Sequence, residues 1–467
     1  MALSTSIGTP AQLRDPDYMP PLAQAIPLGI QHVLAMFVSN VTPAIIVAGA
    51  AGFGFGTPGV GGLIYMIQMS MLFAGVATLF QTIGFGPVGA RLPIVQGTSF
   101  AFLPIMIPLV AGKGVEAMAV LMGGVIVGGL FHACLAPFVG RLRFALPPLV
   151  TGLVVVMIGL ALVKVGVQYA AGGVPKIGTP DYGSLQSWSV ALVVIVVTLA
   201  VKFFTRGLLS IAAVLIGLVA GYAVAWTLGM VNFAPVGRAA VVALPVPFRF
   251  GVEFTVAAIV GFCLMAIISA IETVGDVSGI TKGGAGREAT DAEIKGATFA
   301  DGFGTAIAGV FGALPNTSFS QNVGLIAMTG VMSRHVVTIG AIFLILCGLM
   351  PKVGAVISTV PIEVLGGGVI VMFGMVVAAG VSMLSDVLWN RRNMVIFAIS
   401  LSLGLGLQLE PGALQHLPET ARVLLTSGLL PAAFLAIVLN LVLPHEIEAE
   451  QTDEIAGGLS GHHAPKS

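Results

Sequence analysis

Runs of about twenty uncharged, mostly apolar residues recur from end to end of this 467-residue chain, and they leave little choice of fold. About 20 apolar residues span a bilayer as a helix. In hydrocarbon such a run satisfies its own backbone only by coiling. Breaking the chain at charges and at Gly/Pro clusters predicts fourteen spans, near 22–49, 62–82, 93–111, 116–137, 147–168, 187–205, 208–230, 252–281, 294–312, 317–332, 335–351, 361–383, 393–409 and 423–443. Charged residues make up only 9 % of the chain, against roughly 25 % in a soluble domain, so a soluble fold is excluded. Disorder, which needs low hydrophobicity and high charge, is excluded with it. The expectation is an all-α polytopic membrane protein whose surroundings are the lipid bilayer. The 20 basic and 20 acidic residues cancel, which offers nucleic acid no footprint.

Positive charge in short loops sets orientation. With the N-terminus in the cytoplasm, thirteen Lys and Arg fall inside and six outside (Lys113, Lys176, Arg238, Arg249, Lys352 and Arg422), with Lys164 within a span. Both termini are therefore expected in the cytoplasm of a multi-pass inner-membrane protein. Residues 1–21 read as a polar cytoplasmic tail and 444–467 as a disordered one, and no cleavable signal peptide is expected. Cys134, Cys263 and Cys347 lie inside apolar runs, with neither metal nor disulfide spacing. They read as small packed hydrophobes.

Two spans are poor continuous helices. Pro93, Gly97 and Pro104 interrupt the third, and Pro315, Gly324 and the polar run 316–322 interrupt the tenth. Both carry Thr-Ser-Phe, at 98–100 and 317–319, with Leu-Pro upstream. Seven is odd, so a duplicated seven-span unit would be inverted across the membrane, with one tripeptide in each third span. Interrupted segments in corresponding halves point to a transporter's binding site. A broken helix offers free amides and a positive N-terminal end at mid-membrane. The β-branched and aromatic residues of 94–102 suit a short extended stretch before the half-helix.

Three carboxylates fall inside predicted spans: Glu272, Asp276 one turn further on, and Asp301. Such groups are costly in a membrane and mark function, and a buried carboxyl can carry a proton near neutral pH. Their structural reading is a set of hydrogen-bonded packing groups. Glu116, Glu253 and Glu363 lie near predicted ends and read as solvated or interfacial charges. In the run Ser318–Asn322, the amides of Gln321 and Asn322 offer donors and acceptors that suit a flat heterocycle with alternating NH and C=O groups. Phe100 can supply a stacking face. The plainer alternatives are Asn322 as a helix cap and Phe100 as ordinary core.

Gln321–Gly330, QNVGLIAMTG, resembles the signature of the nucleobase–ascorbate transporter family, Q/E/P-N-x-G-x4-T-R/K/G. Gln31-His32 resembles its first-span QH pair. Glu272 with Asp276 resembles its eighth-span acidic motif, and Asp301 its ninth-span aspartate. The resemblance covers about 20–443. It implies fourteen segments in two inverted seven-segment repeats, with short strands in segments 3 and 10. A core (22–137 and 252–351) would carry substrate past a gate (147–230 and 361–443) that also forms a homodimer. Glu272 and Gln321 would bind the base, completed by Phe100, Ser320 and Ser99. Asp301, Asp276, Asn322, His32 and Gln31 would support the site and proton coupling.

In that family Gln before the Asn marks purine carriers and Glu uracil carriers, so Gln321 implies import of xanthine or uric acid, driven by protons with no other cofactor. Asp276 fits the same branch. Val323, where many xanthine carriers have a second Asn, and Gly330, in place of Arg or Lys, leave the choice of base open. The alternatives are a uracil or broad nucleobase permease and an anion channel or exchanger of the same fold. An intramembrane enzyme lacks support: the chain has no HExxH and no Gly-x-Ser-x-Gly.

Overall fold

The computed structural model describes residues 7–55, 57–140 and 147–444. Its principal helices are α1 (Leu22–Ala51), α2 (Val60–Ile83), α3 (Leu103–Val110), α4 (Met118–Leu135), α5 (Pro148–Ala170), α6 (Leu185–Phe204), α7 (Ala213–Thr227), α8 (Val256–Ile280), α9 (Asp291–Val310), α10 (Ser320–Thr329), α11 (Arg334–Gly348), α12 (Ile362–Leu384), α13 (Arg391–Leu409) and α14 (Leu429–Val442). Two three-residue strands, β1 (Gln96–Thr98) and β2 (Asn316–Ser318), precede α3 and α10. Among the described residues eight helices are long and apolar enough to cross a membrane, or ten when two sharply bent pairs count as single spans. The expected fourteen segments agree with this helix order. α3 and α10, at 8 and 10 residues, are half-spans, as the prolines and glycines of those runs foretold. The last segment bends by 81° between Glu419–Thr426 and α14, where Gly428 takes a positive φ of 71°.

Helices α1–α4 and α8–α11 pack on one another, and α5–α7 pack with α12–α14. Small residues make the closest contacts, as expected where lipid removes the hydrophobic drive between helices. α9 lies on α4 through Gly302 and Gly129, and α2 lies on α11 through Gly75. A Cβ on Gly302 would stand 2.7 Å from both Ala133 Cα and the Gly129 carbonyl oxygen. Backbone cannot swing aside, so Gly302→Ala is expected to push the helices apart and cost about 1–3 kcal/mol. A thermal midpoint in detergent equal to wild type would refute this close packing.

β1 and β2 cross antiparallel, pairing Gln96 with Ser318, Gly97 with Thr317 and Thr98 with Asn316. The flanking bonds are symmetric. Ser99 N–H donates to Pro315 O at 2.8 Å, and Phe319 N–H donates to Val95 O at 3.0 Å. A dyad therefore runs through Gly97 and Thr317, and residues 220 apart are equivalent. This corrects the tripeptide alignment, which is one residue out of register: Thr98 corresponds to Ser318 and Phe100 to Ser320. A one-residue slip exchanges the faces of a strand, so the shared Thr-Ser-Phe located the repeat without setting its register.

The same symmetry recurs around the strands. Thr78 of α2 accepts the Gln96 N–H at 2.9 Å, and Thr305 of α9 accepts the Asn316 N–H at 3.0 Å. The first described residues are tied down: Leu13 O and Pro16 O accept the N–H groups of Met332 and Arg334, and Arg334 pairs with Asp17 at 2.6 Å. The disordered tail expected at 444–467 falls outside the described residues apart from Pro444 itself, as do Arg141, Arg143 and Lys466 of the charge count.

Two expectations about single residues fail. Glu363 is 3 % exposed and ion-paired with Lys176 at 2.9 Å, because the chain after α5 folds over the start of α12. Cys134 is exposed and Cys263 partly so, whereas Cys347, also partly exposed, packs against the hydrophobic core as expected. Being apolar, the first two positions face outward in a protein whose surroundings are lipid.

Candidate functional site

The crossing of the two strands brings the chain breaks together, and beside them opens a cavity of about 1290 Å³. Its inner wall includes Ser99, Phe100, Glu272, Asp276, Ser320 and Gln321. The structure therefore gathers all five expected base-contacting residues, with Asp276, on one cavity. Thr98 and Thr317 also line it. Phe100 stands edge-on to Phe373 of α12, with ring centroids 5.3 Å apart.

Asp276 shapes this wall. Its carboxylate accepts the hydroxyls of Ser318 at 2.6 Å and Ser320 at 2.7 Å. These bonds hold the chain on both sides of Phe319 and aim Ser320-Gln321 into the cavity. α10 starts there with no side-chain cap, so its first amides can serve a polar ligand. Among the described residues, Glu272 and Gln321 have no hydrogen-bond partner. A half-buried carboxylate and a free amide facing one cavity offer an acceptor, a donor and a second acceptor to the edge of a flat heterocycle.

Asp301 lies behind this wall and outside the cavity lining. It is fully buried and accepts from Gln96 Nε2 at 2.5 Å, Gln81 Nε2 at 2.8 Å and the Thr273 hydroxyl. Asp276 and Asp301 are both close enough to act electrostatically on Glu272. Asn322 and His32 are also set back. Asn322 Nδ2 lies 3.0 Å from His32 Nδ1 and donates to His32 O, also at 3.0 Å. The amide thus ties α10 to α1 instead of capping α10. Gln31 is half-buried and outside the lining.

The sequence reading passed over Gln81, Gln96, Thr273 and Asn40. Three of them are amides in apolar runs, the signal that singled out Gln321. Among the described residues no group of three or more His, Cys, Asp or Glu could hold a metal ion.

The cavity continues to Pro148 at the start of α5, Lys202 and Arg206 at the end of α6 and just beyond it, and Asp386 after α12. In a fourteen-segment order these ends share the side of the chain's first residues. Among the described residues no lining position reaches the opposite side. There the Tyr169 hydroxyl of α5 donates to Ile45 O of α1 at 3.2 Å, and Lys113 pairs with Glu419 at 3.5 Å.

This architecture, two short strands crossing where half-helices meet beside a largely apolar cavity with a few polar groups on one wall, is that of a multi-pass membrane transporter. A profile of the Permease family matches residues 23–412. The chain belongs to that family, in the xanthine and uric acid branch of the nucleobase–ascorbate transporters, and is a permease, not an enzyme. It is 36 % identical to the uric acid permease PucJ of Bacillus subtilis over 91 % of this chain and 95 % of that one. It is 33 % identical to the xanthine permease XanQ of Escherichia coli, with 91 % and 92 % covered. Among solved structures the fold is similar to the transmembrane domain of the cyanobacterial bicarbonate transporter BicA (TM-score 0.58, 13 % identity, 90 % and 97 % covered). It is also similar to murine Slc26a9 in the inward-facing state (TM-score 0.60, 12 % identity, 90 % and 68 % covered).

Proposed function

We propose that this permease imports a purine base, xanthine or uric acid, together with protons. The observation that carries this reading is the pair of unpartnered groups on the cavity wall, the Glu272 carboxylate and the Gln321 amide. Together they match the NH and C=O edge of an oxidised purine. The names of the relatives support the same substrate class. Proton coupling rests on Glu272, a carboxylate inside a span that faces the cavity with no internal donor among the described residues.

The two helix groups support an elevator mechanism. α1–α4 and α8–α11 would carry the base past α5–α7 and α12–α14, whose outward surface would form a homodimer. A cavity whose lining reaches one side and not the other suits one end of that cycle. The excess of Lys and Arg in alternate loops supports an inner-membrane location with both termini cytoplasmic.

The test is uptake of labelled xanthine against competing uric acid, guanine, uracil and ascorbate in reconstituted vesicles. Saturation, counterflow and competition by uric acid are expected; a non-saturating flux would mean a channel. Gln321→Glu turns an amide donor into an acceptor. It is expected to weaken purine uptake by about 1–3 kcal/mol, a factor of roughly 5 to 150, and to favour uracil. Unchanged purine kinetics at normal expression would remove Gln321 from the site.

A further inference from the structure

We infer that Asn40, which lies outside the QH, acidic and signature motifs, is a positioning residue that sets the Ser99–Phe100 wall of the pocket through Thr98. The inference rests on reading that pocket as the base site. Asn40 is fully buried in α1. Its Oδ1 accepts both the N–H of Thr98 at 2.8 Å and the Thr98 hydroxyl at 3.2 Å. Its Nδ2 donates to Ser70 O of α2 at 3.1 Å. One amide thus joins α1, α2 and β1. Thr98 ends β1, and the next two residues are the cavity-lining Ser99 and Phe100.

The dyad gives this contact its meaning. In the second half, Asp276 accepts the hydroxyl of Ser318, the equivalent of Thr98, and so holds the start of α10. Asn40 therefore takes the place of Asp276, 236 positions away. A further pair on the same two helices agrees with that separation. Thr42 and Ser278 each donate back to the carbonyl four residues earlier, on Val38 and Val274.

The halves differ where the chemistry differs. Asp276 has two hydroxyls to hold, those of Ser318 and Ser320. Asn40 has only Thr98, because Phe100 replaces the second serine. A carboxylate at position 40 would set its second oxygen against the Ser70 carbonyl, whereas an amide donates to it. The neutral residue is thus the one that fits, and it leaves the pocket's negative charge on the Glu272 side.

The test uses the full-length protein in vesicles and detergent, with labelled xanthine as the probe. Asn40→Leu keeps the approximate volume and removes all three bonds. It is expected to raise KM about tenfold with a much smaller fall in maximal rate, because two donors at the pocket wall lose their acceptor. Amide exchange over 96–100 should speed up without substrate. Thr98→Val, which removes one of the two donors without touching α1, should raise KM about threefold. Added to Asn40→Leu it should cost little more, since the partner is already gone.

A KM within about twofold of wild type in Asn40→Leu, or unchanged exchange over 96–100, would overturn the proposal. If Asn40→Leu does not fold, Thr98→Val decides, and an unchanged KM there overturns it. If the wild-type chain transports neither xanthine nor uric acid, the functional reading fails on its own, while the exchange measurement still decides the role of Asn40.

Discussion

Glu272→Gln is expected to bind xanthine and to lose concentrative uptake. The side chain keeps its length and one acceptor oxygen, so a hydrogen bond from a substrate N–H can still form. What disappears is titration. Glu272 faces the cavity with no hydrogen-bond partner among the described residues, so it is free to accept from a ligand or to take up a proton. Glu272→Ala removes the acceptor as well. A hydrogen bond to a charged group is worth about 1.5–3 kcal/mol, so affinity should fall by a factor of about 10 to 150. Two measurements on the same reconstituted protein decide the matter: ligand-dependent thermal stability, and accumulation driven by an imposed proton gradient. Full accumulation by Glu272→Gln would sink the coupling role. Parallel loss of folding in both variants, with normal transport by what survives, would make Glu272 a packing residue.

Asp301→Asn should behave differently, with its largest effect on stability. Both carboxylate oxygens act as acceptors, from Gln81, Gln96 and Thr273. An amide at this position turns one oxygen into a donor that faces other donors, and Asp301→Ala strands all three. Each stranded buried group costs about 1–3 kcal/mol, so Asp301→Ala is expected to lose several kcal/mol and most of its folded yield. Because Gln96 begins β1, surviving protein should also bind substrate more weakly. The check is the thermal midpoint and monodispersity in detergent without substrate, beside transport. If Asp301→Asn kept wild-type stability and lost only proton-driven accumulation, Asp301 would be the proton carrier and not a brace.

The contrast between these two acids was invisible in the sequence. Glu272 and Asp301 are both carboxylates in apolar runs, and only the family resemblance assigned them different roles, base contact for one and support for the other. One faces a cavity and the other is wrapped by three donors, two of them from α2 and β1, far away along the chain. The internal symmetry sharpens the point. Thr78 and Thr305 occupy matching places, so by the same spacing Ala74 stands opposite Asp301: only the second half supplies the acid, although two of its three donors come from the first.

Much else was determined locally. Apolar runs in hydrocarbon have one backbone solution, a helix. That is why most span positions read from composition lie within a few residues of the helices, the exceptions being the third, seventh and last, whose helices begin ten, five and six residues later. Pro and Gly remove donors and helix preference wherever they fall, so the breaks at β1 and β2 were legible too. The polar residues near those breaks marked out the candidate site, since burying them without function is costly, and they do line one cavity.

Register, pairing and exposure depend instead on distant segments. The shared Thr-Ser-Phe implied one alignment of the halves, and the strand hydrogen bonds chose another, one residue away. Glu363 seemed interfacial until a loop carried Lys176 to it. Asn322 could have capped its own helix, yet it reaches His32 of α1. A side chain's partners are set by which helices pack together, and short-range sequence carries no record of that choice.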